Sequence, residues 1–108
     1  SSRAVRLSDS SSIDRDALAK VITSHLHEIS SCYERAMIAS GSFAGKMTVE
    51  WAITTNGTVS NARVKTTDLR NEQFGSCVLG ALKQWVFPKA RGGTVVVSYP
   101  FVLNSVGY

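Results

Sequence analysis

Acidic residues stop at Glu72 in this 108-residue chain; beyond it only Lys83, Lys89 and Arg91 are charged, and residues 92–103 carry no charge. Other shortages narrow the function. No apolar run approaches the roughly 20 residues of a bilayer-crossing helix, and no signal-peptide pattern is present. There is no Cys-x-x-Cys pair, Gly-rich phosphate loop or Gly-x-Ser-x-Gly elbow, which removes the usual signatures of thiolate metal sites, nucleotide binding and serine hydrolysis. His25 and His27 are two apart on a predicted helix, so they point to different faces and do not chelate one metal. The acids Asp14, Asp16, Glu28, Glu34, Glu50, Asp68 and Glu72 fall on predicted helix faces, caps and turns, with no pair placed for general acid–base work. Glu34, next to Tyr33, reads as a solvated helix position. The chain therefore reads as non-enzymatic, with no catalytic residue, cofactor or metal ligand to assign.

What is present fits one soluble domain with a modest core. The chain opens on Ser1 rather than Met and reads as a piece of a longer protein, whose targeting and anchoring signals would then lie elsewhere. Residues 1–12 are Ser-rich with Arg3 and Arg6, a linker or arm composition; residues 13–108 form the domain. Ser12 is positioned to cap a helix whose first turn holds Asp14 and Asp16. Apolar residues then recur as Ala17/Leu18, Val21/Ile22, Leu26, Ile29, Cys32/Tyr33 and Ala36/Met37, predicting one long amphipathic helix over 13–39 that Gly41 ends.

Residues 45–55 alternate, with Met47, Val49, Trp51 and Ile53 on one face, which predicts a half-buried strand. Asn56-Gly57 predicts a two-residue hairpin with positive φ at both positions. The return strand over 58–67 slips phase after Val59, which predicts a bulge near Ser60-Asn61. Asp68 or Asn71 caps a second helix carrying Phe74, Cys77/Val78, Ala81/Leu82 and Trp85, which Pro88 stops near Val86. Gly92-Gly93 turns the chain into a last strand whose inner face is Val95, Val97, Tyr99, Phe101 and Leu103. Pro100 has no N–H for a ladder, which assigns this strand to an edge, a bulge or a place where pairing stops.

The predicted order is α-β-β-α-β. A right-handed crossover and an antiparallel hairpin together put the Trp51 strand between the other two. The result is a two-layer α+β domain: a three-stranded antiparallel sheet with two helices on one face. Edge strands are usually blunted by charge; this one is not, so it is either covered by another part of the protein or meant for a partner.

Cys32 and Cys77 both lie on apolar helix stripes. They read either as a disulfide, worth about 4 kcal/mol for so long a loop, or as two buried thiols acting as small hydrophobes. With only two cysteines, both facing the core, the disulfide is favoured, and with it an oxidising compartment. Nothing local supplies the basic neighbour a reactive thiol needs. The basic residues Lys83, Lys89 and Arg91 suit an anionic partner such as peptidoglycan or nucleic acid. A solvated face is the plainer reading, and nucleic acid is disfavoured because stacking aromatics and a Lys/Arg stripe are missing.

Several fragments together resemble a known family: Cys32-Tyr33-Glu34-Arg35-Ala36, Gly45-Lys46, Asn56-Gly57-Thr58-Val59, Cys77-Val78, Trp85-Val86-Phe87-Pro88-Lys89, Gly92-Gly93 and Tyr99-Pro100-Phe101. They resemble the TonB-like C-terminal domain of the AgmX/PglI type, found in myxobacterial adventurous gliding motility proteins and related envelope proteins. The resemblance covers nearly everything in 13–103. It implies a periplasmic domain ending a single-span inner-membrane protein, which couples an inner-membrane proton-driven motor to outer-membrane partners. It also implies that Cys32 and Cys77 match the family's cysteine pair. A partner segment from the periplasm or outer membrane would add as a strand along Thr94, Val95, Val96, Val97, Ser98 and Tyr99. Enteric TonB proteins carry a Tyr-Pro motif before the first sheet strand, where this chain has Cys-Tyr-Glu, so iron uptake is not carried over. Two other readings remain at this point: a polyanion-binding domain, and a dimerisation unit in which the free edge pairs with a second copy.

Overall fold

The computed structural model describes residues 6–7, 14–90 and 92–104. The elements are β1 (Arg6–Leu7), α1 (Arg15–Ser24), α2 (Leu26–Ser40), β2 (Gly45–Ile53), β3 (Val59–Thr67), α3 (Glu72–Leu82) and β4 (Val95–Leu103). The sheet runs β1-β4-β2-β3, and every neighbouring pair in it is antiparallel. The expected α+β architecture and three-stranded antiparallel sheet are thus present as β4-β2-β3, with the Trp51 strand central. Two residues from the N-terminal segment add β1 beside β4.

The expected single N-terminal helix is two helices, divided at His25, whose φ of −107° and ψ of 3° leave the helical region. The local cause is a run of modest helix formers, Thr23-Ser24-His25, in which the Ser24 hydroxyl donates to the Val21 carbonyl at 2.8 Å and competes with the helical ladder. The tertiary cause is a stacked contact of the His25 ring with Trp85, centroids 4.7 Å apart. The apolar stripe continues through the break because His25 itself lies on the inward phase. Asp14, not Ser12, caps α1, accepting from the Asp16 N–H at 2.9 Å; Ser12 lies outside the described residues.

The inner faces of β2 and β4 carry Met47, Val49, Trp51 and Ile53, and Val95, Val97, Tyr99, Phe101 and Leu103, all buried in one cluster with side chains from the three helices. Trp51 is the largest of these, and its indole N–H has no acceptor among the described residues. On the other side of β2, the register with β3 shifts between Glu50 and Ala52, where Asn61 adopts a φ of 54°. This is the predicted bulge. A second shift, between Thr48 and Val49, has no signal in the apolar pattern, because both flanking phases of β3 are polar or half-buried.

Two local expectations are corrected, the hairpin loop and the end of α3, and a third, the α3 cap, resolves to one of its two candidates. The hairpin loop has three residues, Thr55-Asn56-Gly57, bounded by bonds from Gly57 N–H to Thr54 O and Thr54 N–H to Thr58 O, each 2.9 Å. Gly57 has a φ of 86°, whereas Asn56 is not in the positive-φ region; one left-handed residue suffices in this loop type. Asn71 caps α3 through the Phe74 N–H, while the Asp68 carboxylate takes the Lys46 N–H at 2.7 Å where β2 begins. Finally, α3 ends at Leu82 rather than near Val86. Trp85 and Phe87 are buried and Val86 is exposed, the alternation of an extended segment, and Val86 bridges to Thr58.

Gly57 also accepts the Phe87 N–H on its carbonyl at 2.9 Å, and a Cβ at this position would run into the Phe87 carbonyl. Left-handed backbone alone costs a non-glycine residue about 1–2 kcal/mol, so Gly57→Ala is expected to destabilise the domain by at least that amount. A urea titration of the two proteins measures it; an unchanged midpoint would show that the loop relaxes freely away from Phe87.

Candidate functional site

The two outer strands of the three-stranded sheet differ. β3 exposes Arg63 and Lys65, which reach Glu50 of β2 at 2.8 and 3.9 Å; a charged edge of this kind resists pairing with another chain. β4 carries no charged residue anywhere in its nine-residue length. Val96 and Val102 are exposed on its open face, at 40% and 57%, while its other face fills the core. It is held only from the β2 side by the long ladder, and from the other side by β1, which sets Arg6 opposite Ser98 and Leu7 opposite Val97.

The direction of the β4 backbone groups follows from antiparallel geometry. The N–H and C=O of one residue point to the same side of the strand, and successive residues alternate. Pro100 sits inside β4, in register with Thr48. It has no N–H to give, and so fits only where its nitrogen faces away from the β2 ladder. Val96 and Ser98 share that phase and direct their donors and acceptors at the outer edge. Of the residues singled out for partner binding, Val95, Val96, Val97, Ser98 and Tyr99 lie in β4. Thr94 is exposed and precedes the strand, since Gly92 and Gly93, with φ of 79° and 126°, are still turning the chain.

Lys83 is the C-cap residue of α3, a position where a cation meets the negative end of the helix dipole. Lys89 is exposed in the following loop, and Arg91 lies outside the described residues.

Cys32 and Cys77 form a disulfide with Cα atoms 5.7 Å apart, linking α2 to α3. The basic neighbour not found in the local sequence is Arg35, one turn on from Cys32. Its Nη2 lies 3.0 Å from Cys77 Sγ and 3.9 Å from Cys32 Sγ. A cavity of about 320 Å³ opens over this bridge, bordered by His27, Glu28 and Ala81. Tyr33, buried between the helices and the sheet, places its hydroxyl 2.6 Å from the Phe43 carbonyl and 2.7 Å from the Asn104 carbonyl, which ties α2 to the end of β4. Glu34 is exposed, as expected of a solvated position.

A second cluster joins the helix break to the loop after α3. Glu28 accepts the Trp85 indole N–H on Oε1 at 2.9 Å and meets His25 Nδ1 through Oε2 at 2.8 Å. His27 Nε2 is 4.0 Å from the same carboxylate. Glu28 is held below its ordinary pKa, first by the Trp85 hydrogen bond and then by the hydrogen bond and charge of His25 and the charge of His27, against an opposing effect of burial. The signal available in the sequence was His25 itself, a polar residue on the apolar stripe. Its partner Trp85, 60 positions away, was not legible. No group of three or more metal-ligating side chains occurs among the described residues.

Solved structures with this arrangement of elements exist. The NMR solution structure of the Helicobacter pylori TonB C-terminal domain superposes with a TM-score of 0.56 at 20% identity, over 86% of this chain and 84% of that one. The fold is that of a TonB C-terminal domain. The Pseudomonas aeruginosa TonB C-terminal domain, also solved by NMR, gives a TM-score of 0.45 at 18% identity, over 94% of this chain and 86% of that one. No family model matches the chain, and no curated protein matches it. The helices, the disulfide and the Tyr33 clamp all lie against or above one face of the sheet, and the opposite face carries the exposed Val96 and Val102 side chains.

Two outcomes check this account of the site. The Cys32–Cys77 bridge closes a separation of 45 residues, so Cys32→Ser/Cys77→Ser is expected to lose about 4 kcal/mol by the chain-entropy relation, read as a lowered denaturation midpoint. Glu28, depressed in the folded state, contributes stability that is present above its unfolded pKa of about 4.3 and is lost as pH falls through the lower folded value. Glu28→Gln is expected to flatten that acid limb. The effect is small, under about 1 kcal/mol, because the side chain is one-third exposed and solvent screens it; thermal melts at pH 3 to 6 read it out.

Proposed function

We propose that this chain is a periplasmic protein–protein interaction module of an envelope energy-transduction machine, and that it takes an extended segment of an envelope partner as an added strand along the outer edge of β4. The observation that carries the reading is the uncharged edge: Val96 and Ser98 direct backbone donors and acceptors outward, next to the exposed Val96 side chain. In strand addition, main-chain hydrogen bonds supply affinity and alternate side chains supply selectivity, which is what this edge offers. The TonB-like fold supports the class of function. The motif resemblance to AgmX/PglI-type domains supports a gliding-motility or related trans-envelope machine, with the domain at the periplasmic end of a single-span inner-membrane protein. The disulfide supports an oxidising compartment.

A strand partner is preferred over a polyanion because Lys83 is placed as a helix cap and the open face of β4 carries no cation. The test uses short random peptides displayed on phage and selected on the domain. Ser98→Pro removes an outward N–H in the same phase as the tolerated Pro100, so it is expected to weaken the selected peptides at least tenfold while leaving the melting temperature within about 2 °C. Affinity should fall only shallowly with salt, unlike phosphate-type binding. Peptides that bind the Ser98→Pro protein as tightly as the parent would overturn the edge-strand reading.

A further inference from the structure

The outer edge of β4 already holds a strand. Arg6 lies in register with Ser98 and Leu7 with Val97, at the centre of the edge to which a partner is assigned. Ser98 is also the residue whose outward N–H and C=O a partner strand would use. We infer that the N-terminal segment is a built-in competitor: Arg6–Leu7 stands in for the partner strand, and a partner gains the edge by displacing it. This rests on the reading of β4 as the docking edge, and adds how access to that edge is set.

The contact is suited to displacement. Among the described residues it spans two positions, against nine for the β2–β4 ladder, and two positions contribute only a few hydrogen bonds of modest net worth. Its sequence is a modest strand: Val5 before it favours extended backbone, but Arg6 and Leu7 are neither β-branched nor aromatic, and Ser8-Asp9-Ser10-Ser11-Ser12 after it is poor strand composition. Only seven positions, 8–14, separate it from α1 in the same chain, so its effective concentration at the edge is high, on the order of millimolar. A weak strand on a short tether occupies the edge most of the time, yet gives way to a longer strand of better composition. The affinity seen by a partner is then the intrinsic affinity reduced by the fraction of molecules with an open edge.

The test compares three proteins: the full chain, the full chain with Arg6→Pro, and a chain starting at Asp14. Two fluorescent probes are used, a peptide of residues 1–12 and the β4-directed peptides selected from the displayed library. Arg6→Pro removes the donor opposite Ser98. Both altered proteins are expected to bind the selected peptides about tenfold more tightly than the full chain, the change that an edge open in a tenth of molecules implies. The 1–12 peptide should bind the shortened chain in trans, lose that binding with Ser98→Pro, and be rejected by the full chain. Equal affinity of the selected peptides for all three proteins would overturn the competition while leaving the docking edge intact. Peptides insensitive to Ser98→Pro would overturn the docking edge, and the competition with it. A full chain whose light-scattering mass doubles with concentration, while the Arg6→Pro protein stays monomeric, would assign β1 to a second copy and overturn the intramolecular form.

Discussion

The antiparallel ladder between β2 and β4 is the constraint on which the rest of the domain depends. It runs in unbroken register from Gly45 opposite Leu103 to Ile53 opposite Val95, whereas the β2–β3 ladder shifts twice. Since side chains alternate across a strand, one fixed register puts Met47, Val49, Trp51 and Ile53 on the same face as Val95, Val97, Tyr99, Phe101 and Leu103. A slip of one residue between the strands would turn one of the two sets to solvent. The three helices pack on the face so defined. The backbone groups of β4 that do not meet β2 have nowhere to point except outward.

The devices that join the helices to the sheet act on that same frame. The disulfide fixes α2 to α3, the Tyr33 hydroxyl fixes α2 to the carbonyl of Asn104 just past β4, and Glu28 fixes the helix break to Trp85. Together they hold the inner side of β4 in place while contributing nothing to its outer side. A strand rigid on one side and lightly covered on the other is a template for a further strand. The charges on β3 and their absence on β4 distinguish the two outer strands: the first resists pairing with another chain and the second does not.

Much of this was legible in the linear pattern, and the misreadings have physical causes. Period-two alternation located β2 and β4 and their inner faces, since half-buried strands leave that signature directly. The phase slip after Val59 located the bulge at Asn61. The single long helix was misread because the apolar stripe passes through His25 unbroken; the break depends on stacking with Trp85, which is remote in sequence. Trp85 fits a helical stripe and an extended buried segment equally well, and only the bridge between Val86 and Thr58 distinguishes them. Arg35 has no special local pattern, yet folding brings it to both sulfurs of the bridge.

The sequence by itself determined which residues face the core, where the strands lie and which strand is free of charge, because burial and alternation act between near neighbours. The tertiary structure alone decided what lies beside that strand. Two residues in a Ser-rich segment carry no periodicity from which a strand can be read, and Arg6 and Leu7 become one only because β4 presents backbone groups that β2 does not pair. Pairing across the chain is a property of both edges at once, and no single stretch of sequence contains both.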